Sequence, residues 1–360
     1  MSKKPARSSL GFDPTIENPK SKIQNRDGWS RREFLSKAAL AGAGTVLGLR
    51  PESHAGEGRP ETTRLRLVHG PSMCQAPQYL AEELLRAEGF VDVRYAKKEK
   101  AQGVEQALAS GEADITMHFV APLLMRLEAG DAVVILAGGH VGCFELFANE
   151  RVRTVRDLKG KTVGVLELGS SQHVFLASIM SYVGLNPSKD VDWVLYPPPE
   201  AKRLLAEGKI DAYLGFPPDP QELRAKNIAH VIVDSAAVRP WSQYFCCMIV
   251  GNRDFVRKNP TATKRAMRAI LKAANICAVE PERSARALVE KWYATNYAYA
   301  VQVMKDLPYG KWREYDPEDT VRFYSLRLYE SGLIKSNPQR IMAQGTDWSF
   351  LKELKKELKA

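Results

Sequence analysis

Apolar and polar residues alternate along this chain with two different periods, one typical of strands and one typical of helices. Leu65 and Leu67 alternate with arginine, which predicts a short strand. After a Gly-Pro turn, residues 77–88 place leucines on one face of a helix, and residues 91–95 alternate again as a second strand. The unbroken apolar segment 132–137 is typical of a strand covered on both faces. Strands separated by helices of this length predict βαβ units and a largely parallel sheet.

A weak internal repeat indicates two related halves. Residues 106–114 and 203–211 share one plan, in which a helix ends, a glycine follows and an aspartate opens an apolar strand. The glycines, Gly111 and Gly208, suit a left-handed helix C-cap. Two such segments this far apart predict two lobes of related architecture and not a solenoid, whose repeats are shorter.

The chain beyond Gly251 has the period of helices. Asn259 and Pro260 form an N-cap and first-turn pair, and the apolar residues that follow keep helical spacing until Pro281. The next apolar stripe continues to Trp292. This half offers little chemistry, so we interpret it as scaffold.

Composition and charge fit a globular protein without a nucleic-acid footprint. The 360 residues are 44% apolar and 26% charged, and no stretch of eighteen apolar residues occurs. The net charge is +10, but residues 1–55 alone hold ten Lys or Arg against five Asp or Glu, so the rest is only mildly basic. The five cysteines show no zinc-ligand spacing, and Cys246 and Cys247 lie in an apolar run typical of buried thiols. We therefore expect no metal and no cofactor.

The N-terminal segment resembles a twin-arginine export signal. The motif residues are Arg31, Arg32, Phe34 and Leu35, and an uncharged run of Ala, Gly and Leu follows them. Small residues then suggest signal cleavage after Ala55. Residues 1–55 are accordingly interpreted as signal peptide and leader, which implies that the twin-arginine translocase exports the protein to the periplasm.

Four segments of the remaining chain resemble the solute-binding proteins of nitrate, sulfonate and taurine ABC importers, a class that includes receptors for pyrimidine precursors of thiamine. The segments are 76–82, 111–115, 155–165 and 208–212, and the resemblance covers about residues 64–295. It implies a monomeric receptor that captures a small solute and delivers it to an ABC permease and ATPase complex. Nucleic acid is not an expected partner.

The same resemblance implies an α/β fold of the type II periplasmic-binding-protein class, with two α/β lobes joined by two crossing strands and a helical C-terminal region. The implied boundaries are 64–147 plus 246–345 for lobe 1, 150–243 for lobe 2, and 346–360 for a C-terminal helical tail. The crossings would fall near residues 146–149 and 244–250. Solute would bind in the cleft between the lobes, at the carboxyl ends of the strands.

Loops from strand to helix are the candidate binding loops, because helix N-termini present unpaired N–H groups. The candidate ligand-binding residues are Ser72, Cys74, Gln75, His118, Phe119, Gly169, Ser170, Ser171, Gln172, Phe216, Trp241 and Gln243. Ser170 and Ser171 rank first because two hydroxyls at a helix start can donate to an oxyanion, although an ordinary N-cap explains a serine there equally well. His118, Phe216 and Trp241 are alternatively core residues. None of these loops carries an arginine, which leaves the charge of the solute open.

Two other functions fit the same sequence. One is an enzyme on this fold, such as a thiamine-pyrimidine-synthase-like protein, but only Cys246 and Cys247 remain of any cysteine-rich motif and no nucleophile–base pair is visible, so we expect no catalytic residues. The other is a binding protein that reports to a membrane sensor. The export signal disfavours the cytoplasmic enzyme, whereas the sequence does not separate a sensor's binding protein from an importer receptor.

Overall fold

The computed structural model describes residues 57–70, 72–98 and 101–358. The export motif and the cleavage site near Ala55 lie outside these residues, so both stay predictions. Among the described residues, no helix is both long and apolar enough to cross a membrane.

The described residues contain ten strands. They are β1 Arg64–His69, β2 Asp92–Lys97, β3 Ile115–Phe119, β4 Val133–Val141, β5 Glu145–Ala148, β6 Lys161–Val165, β7 Val191–Leu195, β8 Ala212–Gly215, β9 His230–Asp234 and β10 Phe245–Asn252.

Fourteen α-helices accompany these strands within the described ranges. They are α1 Ala76–Leu80, α2 Glu82–Ala87, α3 Ala101–Ala109, α4 Val120–Glu128, α5 Ser171–Tyr182, α6 Pro198–Ala206, α7 Asp219–Ala225, α8 Arg253–Lys258, α9 Pro260–Val279, α10 Pro281–Glu290, α11 Tyr297–Asp306, α12 Pro317–Glu330, α13 Pro338–Gly345 and α14 Ser349–Glu357.

The strands form three sheets, which define two lobes. We use lobe 1 for the part built on β1–β2 and on β3–β10–β4, and lobe 2 for the part built on the five-stranded sheet β7–β6–β8–β5–β9. The expected parallel pairing holds for β1–β2, β6–β7 and β6–β8. In contrast, β5 and β10 run antiparallel to their neighbours. Each of these two strands follows a segment that enters from the other lobe, and this is why neither belongs to a βαβ unit.

The internal repeat marks equivalent structural positions in the two lobes. The carboxylate of Asp114 accepts a hydrogen bond from the backbone N–H of Arg66 at 2.7 Å, beside β3 and β1. The carboxylate of Asp211 accepts one from the backbone N–H of Thr162 at 3.0 Å, beside β8 and β6. The preceding glycines have φ angles of +74° and +67°, as expected of left-handed C-caps. Each aspartate therefore ties the end of one strand connection to the neighbouring strand.

The predicted buried strand at 132–137 is confirmed, and it continues as β4 to Val141 with every residue buried. The sequence pattern hides the second half because Gly138 and Gly139 have no side chain to reveal burial. A Cβ on Gly138 would lie 2.2 Å from the Phe245 ring of β10, so that ring fills the space. A glycine here reports close packing between two strands.

Two helix predictions need correction. The helix expected over residues 77–88 is two short helices, α1 and α2, which are divided at Ala81, where φ is −75° and ψ is −6°. Trp292 was expected on the apolar stripe of the helix after Pro281, but α10 ends at Glu290, and Trp292 is 89% exposed with φ at +61°. The rest of the stripe is confirmed, because Leu288 is fully buried and Val289 is half-buried against the core.

Candidate functional site

A small cavity lies where strand ends of the two lobes meet. Its volume is about 40 Å³, enough for roughly three water molecules at 10–15 Å³ each. It is lined by Ser72, Cys74, Gln75, Val104, His118, Phe119, Cys143, Phe144, Ser171, Phe216 and Cys247. Because Ser171 and Phe216 follow strands of lobe 2 and the others belong to lobe 1 or to the segment leaving it, both lobes build the wall.

The lobes are closed on one another around this cavity. The backbone N–H of Met73 in lobe 1 donates to the carbonyl oxygen of Pro217 in lobe 2 at 3.0 Å. On the surface above, the Gln221 amide of α7 donates to the Asp306 carboxylate of α11 at 2.9 Å, and Arg224 pairs with the same carboxylate. A solute pocket usually measures 300–1,000 Å³. The closed form therefore accommodates only a very small solute.

The two serines that ranked first in the sequence have different roles in the structure. Ser170 is the N-cap of α5, and its hydroxyl accepts a hydrogen bond from the backbone N–H of His173 at 3.3 Å. Ser171 lines the cavity, and its buried hydroxyl has no hydrogen-bond partner among the described residues. Leaving a buried hydroxyl unpaired is costly. Ser171 is thus the polar group in this wall with a bond to offer, whereas Ser170 is engaged by its own helix.

Several other candidates lie outside the cavity wall. The backbone N–H of Gly169 donates to the His173 ring at 3.1 Å, and the Gln172 amide donates to the carbonyl oxygen of Leu214 at 2.6 Å. Trp241 is buried against aromatic rings that include Phe175, which agrees with the alternative interpretation of Trp241 as a core residue. Gln243 is exposed. Their assignment as ligand contacts stays a prediction. The contacts described for them are with other parts of the protein.

The candidates from lobe 1 do line the cavity, but the polar side chains of Ser72, Gln75 and His118 are already engaged. The Gln75 amide donates to the Met117 carbonyl oxygen and accepts from the Tyr79 hydroxyl at 2.5 Å. The His118 Nε2 atom lies 3.0 Å from the Glu105 carboxylate, and both side chains are buried. These bonds fix the orientation of the two polar side chains before any solute arrives.

Sulfur atoms form a continuous part of the cavity wall, which the sequence did not indicate. Cys74 Sγ lies 3.5 Å from Cys247 Sγ, and Cys143 Sγ lies 2.8 Å from Cys246 Sγ. The pairing of β10 with β4 shifts register on both sides of Cys247, which interrupts strict side-chain alternation and lets both cysteines of β10 reach their partners. Residues this distant along the chain show no motif spacing, so sequence reasoning could not bring them together.

The electrostatics of this sulfur group are uneven. Hydrogen bonds from the Cys143, Cys246 and Cys74 thiols hold the pKa of Cys247 well below its ordinary value. Burial raises the pKa of Cys143 well above its ordinary value. Burial alone would lower the pKa of His140, but the charge of the neighbouring Cys247 sulfur outweighs burial and raises it well above the usual range. Of the sulfur group, Cys247 is therefore the thiol whose pKa is lowered.

Charged side chains stay at the edge of the cavity. Among the described lining residues there is no lysine or arginine. Glu145, at the start of β5, is buried and paired with Arg224. Burial raises the pKa of Glu145, although the Arg224 guanidinium opposes that rise. Glu145 is thus neutralised locally and does not repel an anion in the cavity.

A larger groove of about 470 Å³ lies nearby and is the competing site. Its lining includes Lys202, Lys226 and Glu222. Lys202 bonds to the Asp219 carboxylate at 2.7 Å and pairs with Glu222, which also pairs with Lys226. The groove has more volume than the closed cavity. Its charged side chains pair with one another, so they already have partners within the protein.

Comparisons with known proteins identify sequences and structures that are similar to this chain. The nitrate import ATP-binding protein NrtC of Synechocystis sp. PCC 6803 is 23% identical over 223 residues, which cover 56% of this chain. The chain spans only 33% of the length of that curated relative.

Solved structures share the fold at low identity. The periplasmic nitrate-binding protein NrtA of Synechocystis PCC 6803 matches with a TM-score of 0.71 and 16% identity, covering 84% of this chain and 90% of that one. The periplasmic aliphatic sulphonate binding protein SsuA of Escherichia coli matches with a TM-score of 0.64 and 17% identity, covering 78% and 92%. A desulfurization enzyme, DSZB, matches with a TM-score of 0.58 and 16% identity, covering 82% and 99%. These likenesses confirm the periplasmic-binding-protein fold.

The family itself is defined by a longer match. The profile of the NMT1-like family aligns with residues 58–293. That range contains every residue of the cavity wall and both segments that pass between the lobes. With two α/β lobes closed over strand ends and a family match across most of the folded region, this chain belongs to the NMT1-like family.

Proposed function

We propose that this chain is the exported solute-binding component of an ABC importer, which captures one small solute between its lobes. The observation that carries the proposal is the cavity built from strand ends of both lobes, with the unpaired Ser171 hydroxyl in its wall. Solute bound there touches both lobes at once, so binding favours the closed form that a transporter can recognise. The nitrate- and sulphonate-binding proteins that share the fold support this function.

The cavity favours a solute that is compact and partly apolar. Four side chains of the wall, Val104, Phe119, Phe144 and Phe216, are apolar, and the free polar group is a hydroxyl. In the absence of a lining lysine or arginine among the described residues, an anion would be held by neutral donors, as a helix N-terminus allows. Nitrate, a short sulfonate, and a pyrimidine or amine are the classes to test.

Export, cellular partners and oligomeric state belong to the same proposal. The N-terminal motif supports export by the twin-arginine translocase and release into the periplasm after cleavage near Ala55. There the protein would act as a monomer and deliver its solute to an inner-membrane permease and ATPase complex. The nitrate import protein NrtC supports a partner of this type.

Mass spectrometry under native conditions provides the direct test. Protein purified from the periplasm without dialysis should carry one small molecule per chain, and that molecule should raise the melting temperature when added back. A thermal-shift series of nitrate, alkanesulfonates, pyrimidines and amines should produce a response to one class only. If none of these classes binds and no molecule is carried, the proposal is wrong.

Matched variants decide which cavity is used. Phe216→Ala removes one wall of the closed cavity and should weaken binding at least tenfold. Lys202→Ala alters the larger groove and should leave binding within twofold. The reverse outcome would move the site to the groove.

Recovery of the bound molecule separates a receptor from an enzyme. The sulfur of Cys247 lies in the cavity wall with a lowered pKa, and one protein of this fold is a desulfurization enzyme. A receptor returns its solute chemically unchanged after hours of incubation. Turnover of the solute, abolished by Cys247→Ser, would show that the chain is an enzyme instead.

A further inference from the structure

Three buried cysteines bring their sulfur atoms together in the cavity wall. The Sγ atoms of Cys74, Cys143 and Cys247 all lie within 4.8 Å of one another. They come from three separate parts of lobe 1, which are the loop after β1, the segment leaving β4, and β10. All three residues are free and buried. A cluster of this kind offers three soft donors around one point.

We propose that Cys74, Cys143 and Cys247 bind one thiophilic metal cation, Zn²⁺ or Cu⁺. In a tetrahedral zinc site the metal–sulfur bonds are about 2.3 Å, so the sulfur atoms lie about 3.8 Å apart. The sulfur atoms lie within 4.8 Å of one another before any metal enters, and Cys74 Sγ and Cys247 Sγ are 3.5 Å apart. Cysteine thiolates select soft cations over Mg²⁺ and Ca²⁺. Water is largely excluded, which favours retention of the bound cation.

The proposal stands apart from solute capture, since metal binding is measured without any solute. It concerns the inner wall of the cavity, whereas the Ser171 hydroxyl approaches from lobe 2. A cation there would add a Lewis-acidic centre to a wall that has no lining lysine or arginine among the described residues.

A disulfide is the competing state of the cluster. Cys143 Sγ is 2.8 Å from Cys246 Sγ, and a bonded pair would need about 2.05 Å. Oxidation of these two thiols would remove Cys143 from the ligand set. Counting free thiols in the denatured exported protein distinguishes the two states, because five free thiols are expected for the metal site and three for the disulfide.

Metal titration tests the proposal on the exported chain after treatment with a chelator and a reductant. Zn²⁺ should bind in a ratio of one per chain in competition with a colorimetric zinc chelator, and Cu⁺ is tested in a parallel titration with a copper(I) chelator. Co²⁺ should produce a thiolate-to-metal absorption band, which reports sulfur ligation directly. One cation per chain with that band supports the site, and the stronger of the two competitions identifies the metal.

Variants at single cysteines provide the controls. Cys74→Ser and Cys247→Ser should each lower metal affinity at least tenfold. Cys277→Ser is the matched control, because Cys277 is also buried and free but lies in α9 outside the cluster. If the control loses as much affinity as the cluster variants, or if the purified protein has three free thiols and no cobalt band, the proposal is overturned. Circular dichroism checks that each variant is folded. If one variant is not folded, the wild-type titration still tests the site.

Discussion

Adjacent serines at the start of α5 should respond in opposite ways to the same substitution. Ser170→Ala removes the N-cap hydrogen bond to the His173 N–H, which should cost about 1 kcal/mol of folding free energy. Ser171→Ala removes a buried hydroxyl that has no partner among the described residues. An unpaired buried hydroxyl costs roughly 1–3 kcal/mol, so its removal should leave the free energy of unfolding unchanged or raise it by up to about 1 kcal/mol.

The same pair should reverse its order in solute binding. If Ser171 donates its hydroxyl to the solute, its loss should cost about 1–1.5 kcal/mol of binding free energy, which is close to a tenfold rise in Kd. Ser170 does not line the cavity, so Ser170→Ala should change Kd by less than twofold once both variants are compared below their melting temperatures.

Two measurements check this pair. Urea unfolding gives the free energies, and calorimetric titration with the solute identified by mass spectrometry gives Kd. The reasoning is refuted if Ser171→Ala destabilises the free protein as much as Ser170→Ala does, since the hydroxyl would then have a partner. It is also refuted if Ser170→Ala alone weakens binding.

Three further predictions concern a glycine, a carboxylate and the contact between the lobes. In urea unfolding, Gly142→Ala should destabilise the fold by more than about 2 kcal/mol, because φ is +57° and a Cβ would lie 2.4 Å from the Ala236 backbone. The control Gly160→Ala, at φ +71° with open space around it, should cost only about 1 kcal/mol in the same measurement. Burial would raise the pKa of Asp211, but its hydrogen bonds outweigh burial and lower it. Its stabilisation is therefore present above the unfolded pKa and lost as pH falls through the folded pKa, so Asp211→Asn should cost about 1.5 kcal/mol at pH 7 and almost nothing in strong acid. A constant difference across that range would contradict the assignment. Asp306→Ala removes the partner of Gln221 and Arg224; it should enlarge the radius of gyration measured by small-angle scattering and weaken solute binding severalfold, and an unchanged radius would mean that other contacts keep the lobes closed.

Local patterns predicted the fold well where side chains reveal burial. The alternation at Leu65 and Leu67 and the apolar run at 132–137 identified β1 and β4, and both are strands. The antiparallel direction of β5 and β10 was not accessible, because a strand pattern carries no information about which lobe the chain arrives from. Trp292 misled the helix assignment because its apolar ring fits the periodic stripe, while the backbone had already left the helix at Glu290.

The candidate site was predictable as a set of loops but not as a set of contacts. Ser72, His118, Ser171 and Phe216 were placed at strand ends by sequence order, and the structure brings them to one cavity. Ser170 caps α5, and Ser171, the next residue, faces the cavity. The sequence pattern does not show which of two adjacent serines takes which role. The sulfur cluster was missed because its members are distant along the chain and gather only through packing.

Closure of the lobes connects the solute site to the sulfur cluster. A solute shifts the balance between open and closed forms only by the difference between its affinities for the two forms. Ser171 and Phe216 belong to lobe 2, whereas Cys74 and Cys247 belong to lobe 1, so a solute in the cavity contacts both sides at once only when the lobes are closed. A cation held by the thiolates would lie on the lobe 1 wall in both forms. A solute that interacts with that cation would gain its additional contact with Ser171 on closing. Loading the protein with metal should therefore raise the affinity for this solute. The affinity for an apolar solute of equal size should not change.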